Sequence, residues 1–396
     1  MTKPLPNAIA AMAGELTEWR RDLHAHPELG YEEERTAGIV AEKLRAFGFD
    51  AVETGVGGTG VVGILHGATG PAESAERRVL LRADMDALPM DEHTGLPYAS
   101  TAPGRMHACG HDGHTTMLLG AARRLAETRT FEGTLVFVFQ PAEEGGGGAK
   151  AMIEDGLLER WPVRAAFGMH NFPSQPVGRF GTGTGAAMAY ADRFAIKVRG
   201  RGGHAAFPHH ATDPIVAAAQ LVTAFQSIIS RRRDPMNPAV ISVTKIEGGS
   251  AYNVIPGEVE LWGTVRTLDD DLAQFLCDEM RRQCRAVGEA MGVEIDDTGI
   301  GLDPYPVCFN EAGATAFATE VMTELVGPEN VDANARPVLG GEDFAFFGQH
   351  VPACFCFVGN GDSAPLHHPE YDFADAAAPY GVAYWCLLAE RALPRG

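Results

Sequence analysis

Residues 106–125 read MHACGHDGHTTMLLGAARRL, and the rest of the chain is organised around them. The first nine positions hold His107, Cys109, His111, Asp112 and His114, nearly all of them side chain types that bind a transition metal. They lack the paired C-x-x-C of a structural zinc finger, so the stretch reads as part of a larger site. Gly110 and Gly113 let the backbone turn tightly between candidate ligands. Met117, Leu118, Ala121 and Leu125 then recur at helical spacing and anchor one side of the site in a core. A polar loop with capping histidines is the competing reading. It loses ground because matching ligand types recur elsewhere.

Those further ligand types sit at strand ends. Residues 60–65 and 78–82 read as strands, and the second runs into Asp84 and Asp86. Residues 133–139 (GTLVFVF) form a continuous apolar run that suits a buried central strand. That run ends in Gln140-Pro141-Ala142-Glu143-Glu144 and four glycines, 145–148. Two carboxylates at the end of a buried strand are costly without a compensating positive charge, which a metal supplies. Adjacent residues point different ways, so one can hold metal while the other faces a water. Residues 165–169 form another short strand that delivers His170 to the same edge. In α/β sheets functional groups gather beyond the carboxyl ends of strands. Helices are predicted over about 7–26, ended by His26-Pro27, and over Glu33 to Phe47, ended by Gly48. The fold class is therefore α/β, with a mixed sheet between helices.

The pattern changes near Met188. A half-exposed strand (193–199) leads into a glycine-rich turn holding His204. A helix follows from Asp213-Pro214 to about Arg231, with Asp213 as cap and Pro214 at the first position. Strands at 240–247 and 258–267 flank a loop carrying Asn253, and the second strand ends near Arg266. A helix over 269–291 and a strand over 293–300 complete a β-α-β-β-α-β order, a ferredoxin-like α+β module. The division predicted is 1–187 with 301–396 as one discontinuous domain and 188–300 as an inserted one. In the resumed domain, Gly340-Gly341-Glu342-Asp343 and Leu366-His367-His368-Pro369 occupy loops, and Cys354 and Cys356 read as core thiols.

Composition limits the function classes. At 396 residues about two domains are expected. Hydrophobic content of 45% against 21% charged suits a sizeable globular core. A net charge of −20 argues against nucleic acid or an anionic membrane as partner. Arg231–Arg233 is then a solvated helix end. Seven scattered cysteines suggest reduced thiols and a cytoplasmic location. The opening MTKPLPNAIAAMAGELTEW does not read as a signal peptide, and no apolar run reaches transmembrane length.

Taken together, the motifs resemble the M20 metallopeptidase family, and most closely its amidohydrolase branch of hippurate hydrolases, N-acyl-amino-acid deacylases and plant auxin-conjugate hydrolases. The segments that carry the resemblance are RRDLHAHPELGYEE (20–33), RADMDALPM (82–90), MHACGHDGHTTMLLGAA (106–122), FQPAEEG (139–145), MHN (169–171), GGHAAFPH (202–209), YNVIPGEVELWGTVRT (252–267), GGEDFAFF (340–347) and LHHPEYDF (366–373). The resemblance implies an α/β/α metallopeptidase catalytic domain and an inserted lid and dimerisation domain. It implies two divalent metal ions per subunit held by Cys109, His111, Glu144, His170 and His367, with Glu143 as catalytic base. Many relatives carry a histidine where Asp84 stands; the Cys-x-His of Cys109 and His111 follows the amidohydrolase branch. His204 and Asn253 would meet the substrate carbonyl or carboxylate, and Arg266 is the candidate to pair with a carboxylate. Asp84, Asp86, Asp112, His114 and His107 would hold the ligands in place.

These residue types permit water attack on an amide carbonyl, with Glu143 shuttling the proton. A thiolate among the ligands favours zinc, with manganese or cobalt as alternatives. The expected activity is hydrolysis of N-acyl amino acids by a cytoplasmic homodimer. A dipeptidase or carboxypeptidase on the same scaffold is the nearest alternative. A binding protein without catalysis fits less well, because a pure binder has no need of a base beside a ligand.

Overall fold

Thr134–Gln140 is buried along its whole length because strands flank it on both sides. Gly60–His66 pairs with it antiparallel and Arg78–Asp84 pairs in parallel. Arg78–Asp84 pairs in parallel with Ala165–Phe172, which pairs in parallel with Ala353–Gly359. Ala51–Val56 extends one edge of this eight-stranded mixed sheet, and Phe180–Gly181 and Val331–Asp332 extend the other. Four adjacent parallel strands thus end side by side, so the loops that follow them share one edge.

The computed structural model describes residues 3–72 and 74–395. They form two compact units, the first being the chain up to Ala187, Phe309–Arg336 and Asp343 onward. In this unit alternate strand residues face one core. Val79, Leu81 and Ala83, with Leu135, Phe137 and Phe139, share it with Met117, Leu118, Ala121 and Leu125 of the helix His111–Thr128. Cys354 and Cys356 belong to the same core, and all seven cysteines are free. The helix His111–Thr128 packs on Ala13–Ala25, on Ala378–Ala392 and on Arg78–Asp84. The core therefore holds its N-terminal turn at the strand ends.

The second unit is Met188–Cys308 with Pro337–Glu342. Its sheet runs in the order Ala239–Glu247, Glu258–Thr267, Tyr190–Arg199, Glu294–Asp296, every pair antiparallel. The helices Pro214–Ser227 and Asp270–Met291 pack on each other and on Glu258–Thr267. Asp213 caps the first helix by accepting from Ile215 N at 2.9 Å, and Asp269 caps the second by accepting from Leu272 N at 2.9 Å.

Some elements differ from expectation. The predicted helix over 7–26 is two helices, Asn7–Ala10 and Ala13–Ala25, because Met12 N donates back to Ile9 O and tightens the turn between them. The strand expected over 293–300 is only Glu294–Asp296. The Asp296 carboxylate accepts from Thr298 N and Oγ1, and this turn ends the strand. His170 lies within Ala165–Phe172 rather than beyond it.

Candidate metal centre

The strand ends bring the predicted ligands into one place. Arg78–Asp84 ends at Asp84 and leads to Asp86; Thr134–Gln140 leads to Glu143 and Glu144; Ala165–Phe172 carries His170; Ala353–Gly359 leads to the loop holding His367. The helix His111–Thr128 begins at His111, with Cys109 two residues before it. Ligand atoms of Cys109, His111 and His170 all lie within 4.8 Å of one another. The same holds for Cys109, Glu144 and His367, and for His111, Glu143 and Glu144. Cys109 Sγ is 3.3 Å from His170 Nε2, and His367 Nε2 is 3.1 Å from Glu144 Oε1. His368 instead accepts from Glu370 N through Nδ1.

Hydrogen bonds fix which histidine nitrogens face this space. His111 Nδ1 meets Asp86 Oδ1 at 3.1 Å, and His170 Nδ1 meets its neighbour's carbonyl, Asn171 O, at 2.6 Å. A carboxylate or carbonyl only accepts, so each Nδ1 carries a proton and each Nε2 is the atom left to meet a cation. His111 Nε2 is buried with no hydrogen-bond partner. A buried polar atom left unpaired is costly, and a cation in place of its proton would satisfy it. A second group, Asp84, His111 and His114, also lies within ligand distance. There His114 spends both nitrogens, Nδ1 on Asp84 Oδ1 at 2.6 Å and Nε2 on Asn171 N at 3.0 Å. Both His114 nitrogens are thus engaged within the protein.

The charges fit a cation as well. Burial, with Glu144 and Glu143 beside it, pushes the Cys109 thiol well up. Burial opposes protonation of His111, yet Asp84 and Asp86 raise it to about 10. Burial and the neighbouring His114 hold His170 well below the usual imidazole range. Thiol, imidazoles and carboxylates so crowded make conflicting demands that divalent metal ions would resolve.

Supporting groups complete the setting. Asp86 accepts from Glu144 N at 2.9 Å as well as meeting His111. Asn171 Nδ2 donates to Cys109 O at 2.6 Å, and Tyr371 Oη donates to Asn171 Oδ1 at 2.7 Å. Arg82 donates to Asp84 at 2.8 Å, to Gln140 at 2.7 Å and to Asp343 at 3.0 Å. Asp112 faces away from the ligands toward His24 Nδ1 at 2.8 Å and Arg20 at 3.6 Å. His107 is fully buried, and burial lowers it to about 4. Arg82, Gln140, Asn171 and Tyr371 escape a sequence reading that looks only for ligand types. The signal for Arg82 was its place two residues before Asp84 on one strand face.

In the second unit His204 and Asn253 come together on a short ribbon, Gly203–His204 against Val254–Ile255, and both are exposed. Ala206 N donates to His204 Nδ1 at 3.1 Å. Arg266 is half-buried and donates through Nη1 to Asp192 O and Val265 O.

Residues 80–391 match the sequence profile of peptidase family M20/M25/M40. The chain belongs to this family. Among curated relatives, a hippurate hydrolase from Campylobacter jejuni is 42% identical over 96% of this chain and 97% of its own. An N-acetylcysteine deacetylase from Bacillus subtilis is 37% identical over 94% of this chain and 96% of its own. Among solved structures, the Bacillus subtilis YXEP protein, described as a dinuclear metal-binding M20 peptidase, superposes with a TM-score of 0.80. It is 33% identical and covers 97% of this chain and 99% of its own. As a member of the M20 family, amidohydrolase branch, the chain is a hydrolase of amide bonds. No helix among the described residues is long and apolar enough to cross a membrane.

Proposed function

We propose that the chain hydrolyses the amide bond of N-acyl amino acids, hippurate-like or N-acetylated, with Glu143 as general base. The observation that carries this is the convergence of Cys109, His111, Glu144, His170 and His367 beside a second carboxylate, Glu143, that the ligand set does not need. These five would hold two divalent ions, zinc for preference given the thiolate, or manganese or cobalt. When bound, such ions polarise a carbonyl and lower the pKa of a water. Glu143 takes the proton of the attacking water and returns it to the leaving nitrogen, a role typically worth about 10²–10⁴-fold in rate. Asp86 keeps the His111 ring turned and the Glu144 backbone in register.

His204 and Asn253 are proposed to contact the substrate carbonyl or carboxylate. Their exposure on one ribbon supports this. Arg266 is proposed to pair with a substrate carboxylate, although the sheet's own carbonyls compete for its Nη1. A cytoplasmic location is supported by seven free cysteines. A homodimer formed through the second unit is supported by Ala239–Glu247, an edge strand bearing exposed Val240 and Ile246. The test is a panel of N-acetyl and N-benzoyl amino acids beside dipeptides, with zinc, manganese or cobalt added and a chelator control. Metal-dependent release of the free amino acid from the acylated substrates is expected. Cleavage of dipeptides alone would favour the peptidase alternative, and no cleavage at all would sink both.

A further inference from the structure

The segment His26–Glu33, HPELGYEE with its first residue at 26, has no part in the chemistry so far, yet it is clamped onto both loops that carry the site's carboxylates. Its two ends do different jobs. Glu28 caps the helix Glu34–Ala46, accepting from Arg35 N at 2.9 Å and Thr36 N at 2.8 Å. That frees Glu33, at the cap position, to reach across the unit instead. Glu33 is completely buried. Its Oε1 accepts from Ala142 N at 2.8 Å, and its Oε2 accepts from Thr59 Oγ1.

Ala142 is the residue before Glu143, and it has a left-handed φ of 50°. An L side chain rarely adopts this backbone, so the surroundings must impose the conformation. They do so closely. A Cβ at Gly30 would stand 3.0 Å from Ala142 Cβ, and one at Gly146 would stand 2.7 Å from it. Tyr31 Oη donates to Gly146 O at 2.8 Å, and Ala87 N donates to Glu28 O at 2.8 Å. Asp86 holds Glu144 N on the far side. The backbone amides on either side of Glu143 are thus each tied to a buried carboxylate.

We propose that Glu33 is a positioning residue for Glu143: by holding Ala142 in its left-handed conformation, it aims the base. This rests on the reading of Glu143 as base. Glu33→Ala should lower kcat by about 10–100-fold, the scale of a sub-ångström to 1 Å misplacement, with KM and metal content near parental. Glu33→Gln keeps an oxygen for Ala142 N–H and should retain most of kcat. In a Glu143→Gln background, Glu33→Ala should cause no further loss, because the group it aims is already disabled. Thr59→Val removes the second tie and should lower kcat about 2–5-fold, and it carries the test if Glu33→Ala does not fold. Parental kcat in Glu33→Ala, or in Thr59→Val should that variant alone fold, overturns the proposal. So does a Glu33→Ala loss that tracks metal content or adds to that of Glu143→Gln. Parental turnover in Glu143→Gln alone overturns the base assignment instead, which separates the two failures.

Discussion

Asp86 meets two of the proposed ligands at once and on this account holds no metal itself. It turns His111 and anchors Glu144, so its loss should loosen two ligands together. Asp86→Ala should weaken metal affinity by about 10–100-fold, measured by chelator competition; parental affinity would remove Asp86 from the account. A different residue governs pH dependence. His24 is buried, which opposes its charge, but Asp112 at 2.8 Å raises it from 6.5 to about 9. A raised folded pKa stabilises fully below pH 6.5 and is lost as pH rises through about 9, each unit being worth about 1.4 kcal/mol. His24→Gln should therefore unfold at lower temperature than the parent at pH 6, and that deficit should shrink above pH 9. A deficit equal at both pH values would show that His24 contributes by packing alone.

At the scale of elements, the turn Cys109-Gly110-His111 spaces two of the proposed ligands. Gly110 has a left-handed φ of 92°, and a Cβ there would stand 2.2 Å from Asn171 Nδ2. Gly110→Ala should cost roughly 1–2 kcal/mol for the backbone alone, more with the clash, read from denaturant midpoints. An unchanged midpoint would mean the turn is not held by Asn171. The elements that could be read in advance were those with strong periodicity. Thr134–Gln140 is apolar throughout because it is central, and Asp213-Pro214 announces a helix start by its chemistry. Ala51–Val56 gave no such signal, since its edge position leaves most of it partly or fully exposed. The ligand types were legible because chemistry restricts them to few residues. The charged and imidazole groups beside them, Asp86 and His114, could also be read, but the uncharged ones could not: Asn171 and Tyr371 are ordinary polar residues until folding sets them 2.7 Å apart, 200 positions distant in sequence. The left-handed backbone of Ala142 and His367 likewise has no signature in residue type, since neither is glycine.

For the whole molecule, the parallel order of four strands explains why groups from Asp84 to His367 meet at one edge. The proposed dimer belongs to this scale. Light scattering should give twice the 42.2 kDa chain mass, and Val240→Lys with Ile246→Lys should give the monomer. A parent that scatters as a monomer, or a double variant that stays dimeric, would contradict assembly through that edge. Metal and base are the centre of the account, and one comparison separates them. Purified Glu143→Gln should carry as much metal as the parent and turn over an N-acyl amino acid at least about 10²-fold more slowly. A Glu143→Gln protein that keeps its metal and also keeps parental turnover would contradict the central claim.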